Sequence, residues 1–375
     1  MNPTTATAGP RILVAPLDWG LGHATRCIPV INALLSAGCE VILAGEGKTE
    51  HLLRTEFPQL LFLPLNGYQV HYGKTRFSLI LNLLQQVPRI IHTIKYEHYW
   101  LKEVVIKYGL NAVITDNRYG LYNRSIYSVF ITHQLTIKTP FGKWVEAALQ
   151  LLNYRYINRF NACWIPDEEK DGALAGALSH PKQKPAIPIH YIGVLSRFVR
   201  RWPPATPAHL LLLLSGPEPQ RTLWEKQLMA ELTQYQKPVL LVRGLPGSAD
   251  SMAAPPYVTA LNHLPADSLQ EAIEKASFVI ARCGYSTVMD LMTLQKKSIL
   301  IPTPGQSEQE YLAGYLMEKQ IAFCVPQHKF RLLPALELAV SFPYQFNVIG
   351  NIISLQTIVQ QLAKNLSQER ANVFS

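Results

Sequence analysis

The sequence lacks several features that would place it in a specialised class. Its five cysteines are scattered, with no CxxC pair and no Cys/His cluster, which argues against a disulfide framework or a structural zinc site and favours a reducing compartment. Its first residues lack the basic and apolar regions of a secretion signal. The longest aliphatic run, residues 210–214, is far shorter than the roughly 20 residues that a membrane span requires. We therefore expect a cytoplasmic globular protein.

The chain has a moderate excess of positive charge. The chain has 35 Lys and Arg against 26 Asp and Glu, a formal net charge of +9. A charge of this size suits nucleic acid, an anionic membrane surface or a phosphorylated ligand. The sequence has no RNP-type aromatic motif, zinc finger or dense Lys/Arg run, so nucleic acid is the least favoured of the three partners.

The order of apolar segments predicts an α/β fold. Short aliphatic or β-branched segments alternate with longer helical ones, as in parallel sheets whose two faces are covered by helices. The predicted strands are residues 11–16, 40–45, 60–65, 111–116, 127–132, 162–167, 210–215, 238–243, 277–282 and 297–302.

A proline-rich segment divides this pattern into halves. Residues 196–209 contain three closely spaced prolines and predict a linker, because proline lacks a backbone donor and disfavours helix before it. We predict two Rossmann-like, doubly wound domains, residues 1–195 and 210–344, facing each other across a cleft, and a C-terminal helical segment at 345–375.

A glycine-containing loop, DWGLGHATR, follows the first predicted strand. Gly20 and Gly22 precede a helical pattern, so the backbone there can approach a ligand closely at a helix N-terminus. His23 lies at the start of this helix, and its near-neutral pKa suits a general base for a sugar hydroxyl. The alternative is a tight turn whose histidine caps the loop or contacts a phosphate without moving a proton.

A second candidate base ends the predicted strand 111–116. Asp116 lies at the carboxyl edge, where α/β sheets bind ligands, although a lone Asp after a strand often only caps the next turn. The sequence leaves the choice between His23 and Asp116 open, with Asp18 a third candidate. The residues after Asp116 would shape an acceptor pocket: Asn117, Arg118 and Tyr119.

The second half carries groups suited to a sugar nucleotide. Ser215 and Gly216 can offer a hydroxyl and backbone amides to a diphosphate at a helix N-terminus, although the prolines at 217 and 219 remove donors. Further on, a strand ends at Arg282 and a small-residue turn begins a helix that carries Asp290. This carboxylate can accept hydrogen bonds from both ribose hydroxyls. The polar residues that can bind hexose hydroxyls follow the next strand: Glu308, Gln309 and Glu310.

Residues 278–316 resemble the donor half of glycosyltransferase family 28, the group containing the transferase that adds GlcNAc to the lipid-linked peptidoglycan precursor. The positions that match the spacing of the family are Arg282, Gly284, Thr287, Asp290, Pro302, Gln309 and Tyr311. Asp290 stands where the family has Glu, and Glu310 stands where it has a second Gln. The first difference keeps ribose chemistry with a shorter side chain, and the second bears on which sugar is bound.

The resemblance extends less specifically over residues 11–325. Gly20, Gly22 and His23 match the glycine-rich loop of the family, and His133 matches a histidine in its HEQN segment. Arg197 resembles the arginine of its Gly-Asn-Pro-Val-Arg segment at the domain junction, where it can reach donor phosphate. The sequence SGPEPQR, at 215–221, replaces the family's GGSQGA and is the largest departure.

The resemblance implies a GT-B fold and an inverting transfer from a UDP-linked sugar to a hydroxyl acceptor. The implied donor-binding residues of the C-terminal domain are Arg197, Ser215, Gly216, Arg282, Gly284, Thr287, Asp290, Glu308, Gln309 and Glu310. The implied acceptor-side residues of the N-terminal domain are Gly20, Gly22, Asn117, Arg118, Tyr119 and His133. The chain has no DxD motif, so we predict metal-independent transfer with no cofactor besides the donor substrate. A UDP-sugar epimerase or hydrolase, and a non-catalytic sugar-nucleotide sensor, remain alternatives.

Two apolar stripes in the first half bear on the acceptor. The first, at 77–100, is Leu79, Ile80, Leu83, Leu84, Val87, Ile91 and Ile94, interrupted by Pro88. The second, at 141–160, is Val145, Leu149, Leu152, Tyr156 and Phe160, flanked by Lys138, Lys143, Arg155 and Arg159. Such stripes are typical of core-facing helices, but basic and aromatic flanks also suit a helix docked on the inner face of a membrane that carries a lipid-linked acceptor.

Overall fold

The computed structural model describes residues 9–68, 76–170, 173–202, 205–346 and 352–373. The predicted α/β class is confirmed, because the described chain forms two parallel sheets covered by helices. The N-terminal sheet has seven strands in the order β3-β2-β1-β4-β5-β6-β7. Its strands are β1 (Arg11–Pro16), β2 (Glu40–Gly45), β3 (Leu61–Pro64), β4 (Ala112–Asp116), β5 (Tyr127–Ile131), β6 (Ala162–Ile165) and β7 (Ile189–Tyr191). Its helices are α1 (Leu21–Ser36), α2 (Gly47–Glu56), α3 (Arg76–Tyr108) and α4 (Lys143–Ile157).

The C-terminal sheet has six strands in the order β10-β9-β8-β11-β12-β13. Its strands are β8 (His209–Leu213), β9 (Val239–Val242), β10 (Val258–Leu261), β11 (Ala276–Arg282), β12 (Ser298–Ile301) and β13 (Phe323–Cys324). Its helices are α5 (Gln220–Leu232), α6 (Ala266–Glu274), α7 (Tyr285–Thr293), α8 (Ser307–Glu318) and α9 (Leu332–Ser341), followed by the C-terminal α10 (Ile352–Val373).

The strand order fixes where a ligand can bind. In each sheet the order reverses beside the first strand, between β1 and β4 and between β8 and β11. Open α/β sheets bind ligands in the crevice beyond the carboxyl ends of such strands. Pro16 pairs with Asp116 in the parallel register of β1 and β4, so the loop after β1 and the end of β4 lie side by side.

The sheets are joined by a shared apolar core. The cluster that contains Ile28 of α1 also contains Met292 of α7 and Val359 of α10. The C-terminal helix α10 packs against α1 of the N-terminal half. The helical character predicted for the C-terminal segment is present at 352–373, while the exact domain boundaries at 195 and 210 stay predictions.

Three strands were not predicted, and all three lie at sheet edges: β7, β10 and β13. Burial along β7 and β10 is interrupted by exposed positions, so these strands lack the continuous apolar run that marks a central parallel strand. Several predicted strands also extended too far. Residues 166–167 were placed in the strand that ends at Ile165, and Ser215 was placed in one that ends at Leu213.

The two apolar stripes divide between core and surface. On α3, which continues through Pro88, Ile94 is buried whereas Val87 and Ile91 are exposed; the side chains of 76–85 lie outside the described residues. The second stripe ends after α4, where Phe160 packs in the core, while Val145 and Leu152 on α4 are exposed. Within the described ranges, no helix is both long and apolar enough to cross a membrane.

Candidate functional site

A cavity of about 800 Å³ lies between the carboxyl ends of the two sheets. Its size falls within the range of small-molecule and cofactor sites. The N-terminal side is lined by Leu17–His23, Arg26, Glu46–Thr49, Tyr68, Ile90, Asn117, Tyr119, His133 and Gln134. The C-terminal side is lined by Leu214–Pro217, Gly244, Gly284–Thr287, Gln306, Glu308 and Gln309.

The two candidate bases belong to one hydrogen-bonded unit. His23, in the first turn of α1, places its Nδ1 3.1 Å from Oδ1 of Asp116, at the end of β4. His23 lines the cavity, whereas Asp116 is fully buried behind it. Burial and then Arg26 lower the pKa of His23, and the opposing effect of Asp116 does not outweigh them. His23 is therefore neutral near pH 7, the form that can accept a proton.

A buried arginine holds the carboxylate of this unit. Nε and Nη2 of Arg26 donate to the two oxygens of Asp116. Burial alone would raise the pKa of Asp116, but Arg26 and then His23 outweigh it and lower the pKa to about 2. Asp116 is thus an ion-paired carboxylate throughout the neutral range.

A second histidine connects this unit to the opposite side of the cavity. Nδ1 of His133 lies 3.2 Å from Nη1 of Arg26, and its Nε2 lies 2.8 Å from Oε1 of Glu308 on α8. The ring of His133 stacks on Tyr285 of α7 at 4.2 Å between centroids. The predicted acceptor-side histidine and the predicted sugar-binding Glu308 therefore face each other directly.

The glycine-containing loops meet at the middle of the cavity. Ser286, in the first turn of α7, donates to the carbonyl oxygen of Gly22 at 2.9 Å. A Cβ at position 22 would lie 3.0 Å from Ser286 Oγ, so glycine permits this close approach. Gly284 precedes α7 and has no capping side chain, so the first amides of the helix, and the hydroxyl of Thr287, are available to a ligand.

The loop after β8 also lines the cavity. Ser215 and Gly216 lie there, and Gly216 adopts φ 104°, a conformation that favours glycine. The loop reaches α5 only at Gln220, so Ser215 and Gly216 are not part of the helix N-terminus. The predicted diphosphate-binding segment thus offers loop amides, and α5 begins only four residues after Gly216.

The predicted hexose-binding residues occupy different environments. Gln309 lines the cavity while its Oε1 accepts a hydrogen bond from the amide of Thr303, at 2.9 Å. Glu310 bonds the amide of Gly305 at 3.0 Å and does not line the cavity. Glu310 therefore supports the loop before α8 in this structure, and the structure does not bring it to the site.

Asp290 lies beside the interdomain linker and is not among the residues that line the cavity. Its Oδ1 accepts a hydrogen bond from Ser196 Oγ at 2.7 Å. Burial raises the pKa of Asp290 to about 6, against the opposing effects of Arg197 and Ser196. The Nε atom of Arg197 is buried without a hydrogen-bond partner in the described part of the chain.

Two predicted arginines point away from the cavity. Arg282 is buried in the C-terminal domain, where it donates to Gln327 Oε1 at 2.9 Å and lies over the ring of Trp224; burial lowers its pKa to about 10. Arg118 is buried against Glu97 at 3.0 Å and donates to the carbonyl of Pro16. Arg282 ends β11 and Arg118 lies two residues after the end of β4, but neither side chain lines the cavity.

The other predicted residues of the acceptor side lie where expected. Gly20 lines the cavity, as does Asn117, which adopts a left-handed φ of 58°. Tyr119 lines it too and donates to Asn153 at 2.8 Å. Sequence reasoning missed Arg26, although it follows His23 by one helical turn. It also missed Trp19, whose Nε1 is buried without a partner among the described residues.

A search for metal-binding side chains gives a negative result over the described residues. No group of three or more His, Cys, Asp or Glu side chains there is arranged to hold a metal ion.

Comparison with known proteins identifies part of the chain. Residues 260–343 match the glycosyltransferase family 28 C-terminal domain. The predicted family resemblance is thereby confirmed for the part of the C-terminal half that carries Arg282, Gly284, Asp290 and Gln309, and the match is consistent with a divergent relative of the family. The match supports the prediction of a glycosyltransferase.

Solved structures extend the likeness over both domains. A glycosyltransferase of kitacinnamycin has a TM-score of 0.63 at 13% identity, covering 98% of each chain. SnogD, a glycosyltransferase from Streptomyces nogalater, has a TM-score of 0.56 at 15% identity, covering 96% of this chain and 95% of its own. Acinetobacter baumannii MurG has a TM-score of 0.50 at 12% identity, covering 96% and 99%. No curated protein matches at the level of sequence. The fold around the family 28 domain is therefore GT-B.

Proposed function

We propose that this protein transfers a hexose from a UDP-sugar to an acceptor hydroxyl, with inversion and without a metal ion. The observation that carries the proposal is the position of His23. Its ring lines the cavity, is held from behind by Asp116 and faces the loops of the family 28 domain. A neutral histidine oriented by a buried carboxylate is a common arrangement for a general base.

The C-terminal half of the chain and the linker supply the donor-binding chemistry. We assign the ribose hydroxyls to the Asp290 carboxylate and the diphosphate to Arg197 and the amides after Leu214 and Gly284. The buried, unpartnered Nε of Arg197 is consistent with a missing anionic ligand, since buried polar atoms normally have partners. Gln309 and Glu308, which line the cavity, are assigned to the hexose hydroxyls.

The reaction follows from these positions. His23 takes the proton of the acceptor hydroxyl as its oxygen forms a bond to the anomeric carbon on the face opposite the diphosphate. The bond from that carbon to the phosphate oxygen breaks, and UDP leaves with the electron pair. This step requires the His23 tautomer that donates Nδ1–H to Asp116, because only this tautomer leaves Nε2 free to accept the proton. Amides and Arg197 stabilise the departing negative charge.

The acceptor is assigned to the N-terminal side of the cavity. The rings of Trp19 and Tyr68 pack edge to face there, with centroids 6.1 Å apart, and Asn117 and Tyr119 complete the wall. An apolar wall with a few polar groups suits an acceptor that presents one hydroxyl on a largely apolar or ring-shaped body.

A membrane surface is the partner that we propose for α4. Trp144 is 91% exposed, and Phe141, Leu151 and Leu152 are also exposed, with Lys143, Arg155 and Arg159 around them. An exposed apolar face with basic flanks suits the interface of an anionic bilayer, and each Lys or Arg near it contributes about 1 kcal/mol. Docking there would bring the cleft to a lipid-borne acceptor.

The decisive experiment separates transfer from the two alternatives. Purified protein is incubated with UDP-hexoses, and release of UDP is measured with and without candidate acceptors. Release only with acceptor, product of opposite anomeric configuration and undiminished rate in EDTA are expected. Release or isomerisation without acceptor would indicate a hydrolase or an epimerase, and binding without turnover would indicate a sensor.

A matched pair of variants tests the base. His23→Gln removes the proton acceptor and is expected to lower kcat by roughly 10²–10⁴-fold. His190→Gln, at an exposed position of the edge strand β7, is the control and should have wild-type turnover. Wild-type kcat for His23→Gln would exclude this residue as the base.

A further inference from the structure

We infer that Arg26 is a positioning residue that keeps His23 unprotonated and orients His133. This inference rests on the proposed role of His23 as the base. Arg26 follows His23 by three residues on α1, so the two side chains lie on the same face of the helix, one turn apart. The side chain of Arg26 is 3% exposed and lies between the end of β4 and the start of the cavity.

The guanidinium makes contacts with three side chains at once. Nε and Nη2 bind both oxygens of Asp116, Nη2 lies 2.8 Å from Nδ1 of His23, and Nη1 lies 3.2 Å from Nδ1 of His133. A planar fork of donors can make this set of contacts, whereas the single ammonium group of lysine cannot bind both carboxylate oxygens in the same way.

The positive charge of Arg26 counteracts the tendency of Asp116 to favour protonation of His23. A buried carboxylate beside a histidine favours the imidazolium form, which cannot accept a proton. In this site the positive charge of the Arg26 guanidinium offsets the negative charge of the Asp116 carboxylate, so the carboxylate favours the imidazolium form of His23 less. The groups that face His23 are Arg26 from its own helix, Asp116 from β4, His133 after β5 and, beyond His133, Glu308 from α8. Arg26 carries the positive charge that contacts the ring, and Asp116 carries the negative one. Removal of Arg26 therefore leaves the carboxylate unopposed.

The same guanidinium sets the orientation of His133. Because an arginine only donates, Nδ1 of His133 accepts, and the ring proton lies on Nε2, where it is donated to Glu308. Arg26 thereby links the position of the base to a side chain on the donor side of the cavity.

The test measures the pKa of His23 directly, independently of any transfer activity. Full-length protein labelled with ¹⁵N-histidine is titrated by NMR, with the His23 signal assigned by its loss in His23→Gln. In the wild type we expect a pKa below 6.5, the ordinary value for this side chain. Arg26→Gln should increase the proton affinity of His23 tenfold or more, because Asp116 is then unopposed.

Two further variants separate charge from structure. Arg26→Gln combined with Asp116→Asn removes both charges and should return the His23 pKa towards the wild-type value. Arg26→Lys keeps the charge but not the fork and should give an intermediate pKa. An unchanged His23 pKa in Arg26→Gln and in Arg26→Lys, with native circular dichroism, would overturn the inference. If Arg26→Gln does not fold, Arg26→Lys and the double variant still decide it.

The kinetic arm distinguishes this inference from the proposed function. If His23 is the base, the acidic limb of the pH profile of kcat/KM should move to higher pH in Arg26→Gln, and turnover should recover as the pH is raised. A shifted NMR pKa with no transferase activity in the wild type or in any variant would support Arg26 as the positioning residue and overturn the proposed reaction. A shifted kinetic limb with an unchanged NMR pKa would overturn the role given to Arg26.

Discussion

His133 and Glu308 face each other across the cleft, with Nε2 of the histidine 2.8 Å from Oε1 of the carboxylate. The histidine follows β5 in the N-terminal sheet, and the carboxylate belongs to the first turn of α8 in the C-terminal half. Burial would raise the pKa of Glu308, but His133, together with Arg26 and His23, outweighs it and the pKa is lowered. The pair therefore connects the two halves of the site through a group that we assign to the donor sugar.

Replacement of Glu308 should mainly affect donor binding. Glu308→Ala removes charge-assisted acceptors that are worth about 1.5–3 kcal/mol, so the KM for the donor should rise roughly tenfold or more. Steady-state kinetics with varied donor measures this. Glu310→Ala is the matched control, because its carboxylate bonds Gly305 outside the cavity lining. An equal effect of both variants would contradict a direct sugar contact for Glu308.

The stability that the His133–Glu308 pair contributes should depend on pH in the acidic range. A carboxyl group whose folded pKa is lowered contributes stability above its unfolded pKa of about 4.5, and that contribution is lost as the pH falls through the lower folded value. Thermal unfolding of wild type and Glu308→Gln should therefore converge below about pH 4.5. A constant difference in Tm down to pH 3 would argue against this pair as the cause.

Asp290 should make nucleotide binding depend on pH near 6. Its pKa is raised to about 6, so the carboxylate is charged at pH 7.5 and largely protonated at pH 5. Affinity for UDP, measured by calorimetric titration, should weaken as the pH falls through this range, in part because the ribose loses a charged acceptor. Asp290→Asn should weaken binding at pH 7.5 and remove that part of the pH dependence. The phosphate of UDP titrates in both proteins, so the difference between them reports on Asp290.

A control for this measurement lies on α6. Asp267→Asn changes a fully exposed carboxylate and should bind UDP as the wild type does. If Asp290→Asn retains both the affinity and the pH dependence of the wild type, the ribose assignment is wrong.

Arg118 should be essential for stability and should not contact the acceptor. Arg118 and Glu97 are both fully buried and paired at 3.0 Å, and the same Glu97 accepts hydrogen bonds from Tyr68 and from the amide of Gly120. Arg118→Ala leaves a buried carboxylate without its cation, a change that typically costs 3–5 kcal/mol. Urea unfolding should show a loss of this size. A small loss of stability with a large rise in acceptor KM would restore the predicted acceptor role.

Trp144 should govern attachment to anionic membranes. Trp144→Glu places a negative charge on the exposed face of α4 and should reduce binding to vesicles that contain anionic lipid, in a flotation assay at low salt. The wild-type interaction should weaken as salt is added, since the Debye length falls to about 3 Å at 1 M. Trp202→Glu changes a tryptophan of the linker that is 80% exposed and lies outside α4, and it should bind as the wild type does. Failure of the wild type to bind anionic vesicles would contradict the membrane proposal.

The fold was largely determined by local patterns. Central strands such as β1 and β4 are buried on both faces, so their sequences are continuous apolar runs with sharp ends. The edge strands β7, β10 and β13 lack such runs because solvent or loops cover part of each, and only their pairing in the sheet defines them. Residues 278–316 were predictable for a different reason, since strand-end and helix-start positions there keep the spacing of a family.

The composition of the site was decided by tertiary structure. The sequence placed His23 at the start of the helix that follows one strand and Asp116 at the end of another, but left them as alternatives, 93 residues apart. Parallel pairing of β1 with β4 brings these ends together, and the next turn of α1 then inserts Arg26 between Asp116 and His133. The direction of a side chain at or just after a strand end depends on what packs around it, which is why Arg282 and Arg118 pair with buried groups of their own domains. Sequence spacing identifies which residues reach the edge of a sheet, whereas packing determines which of them face the cavity.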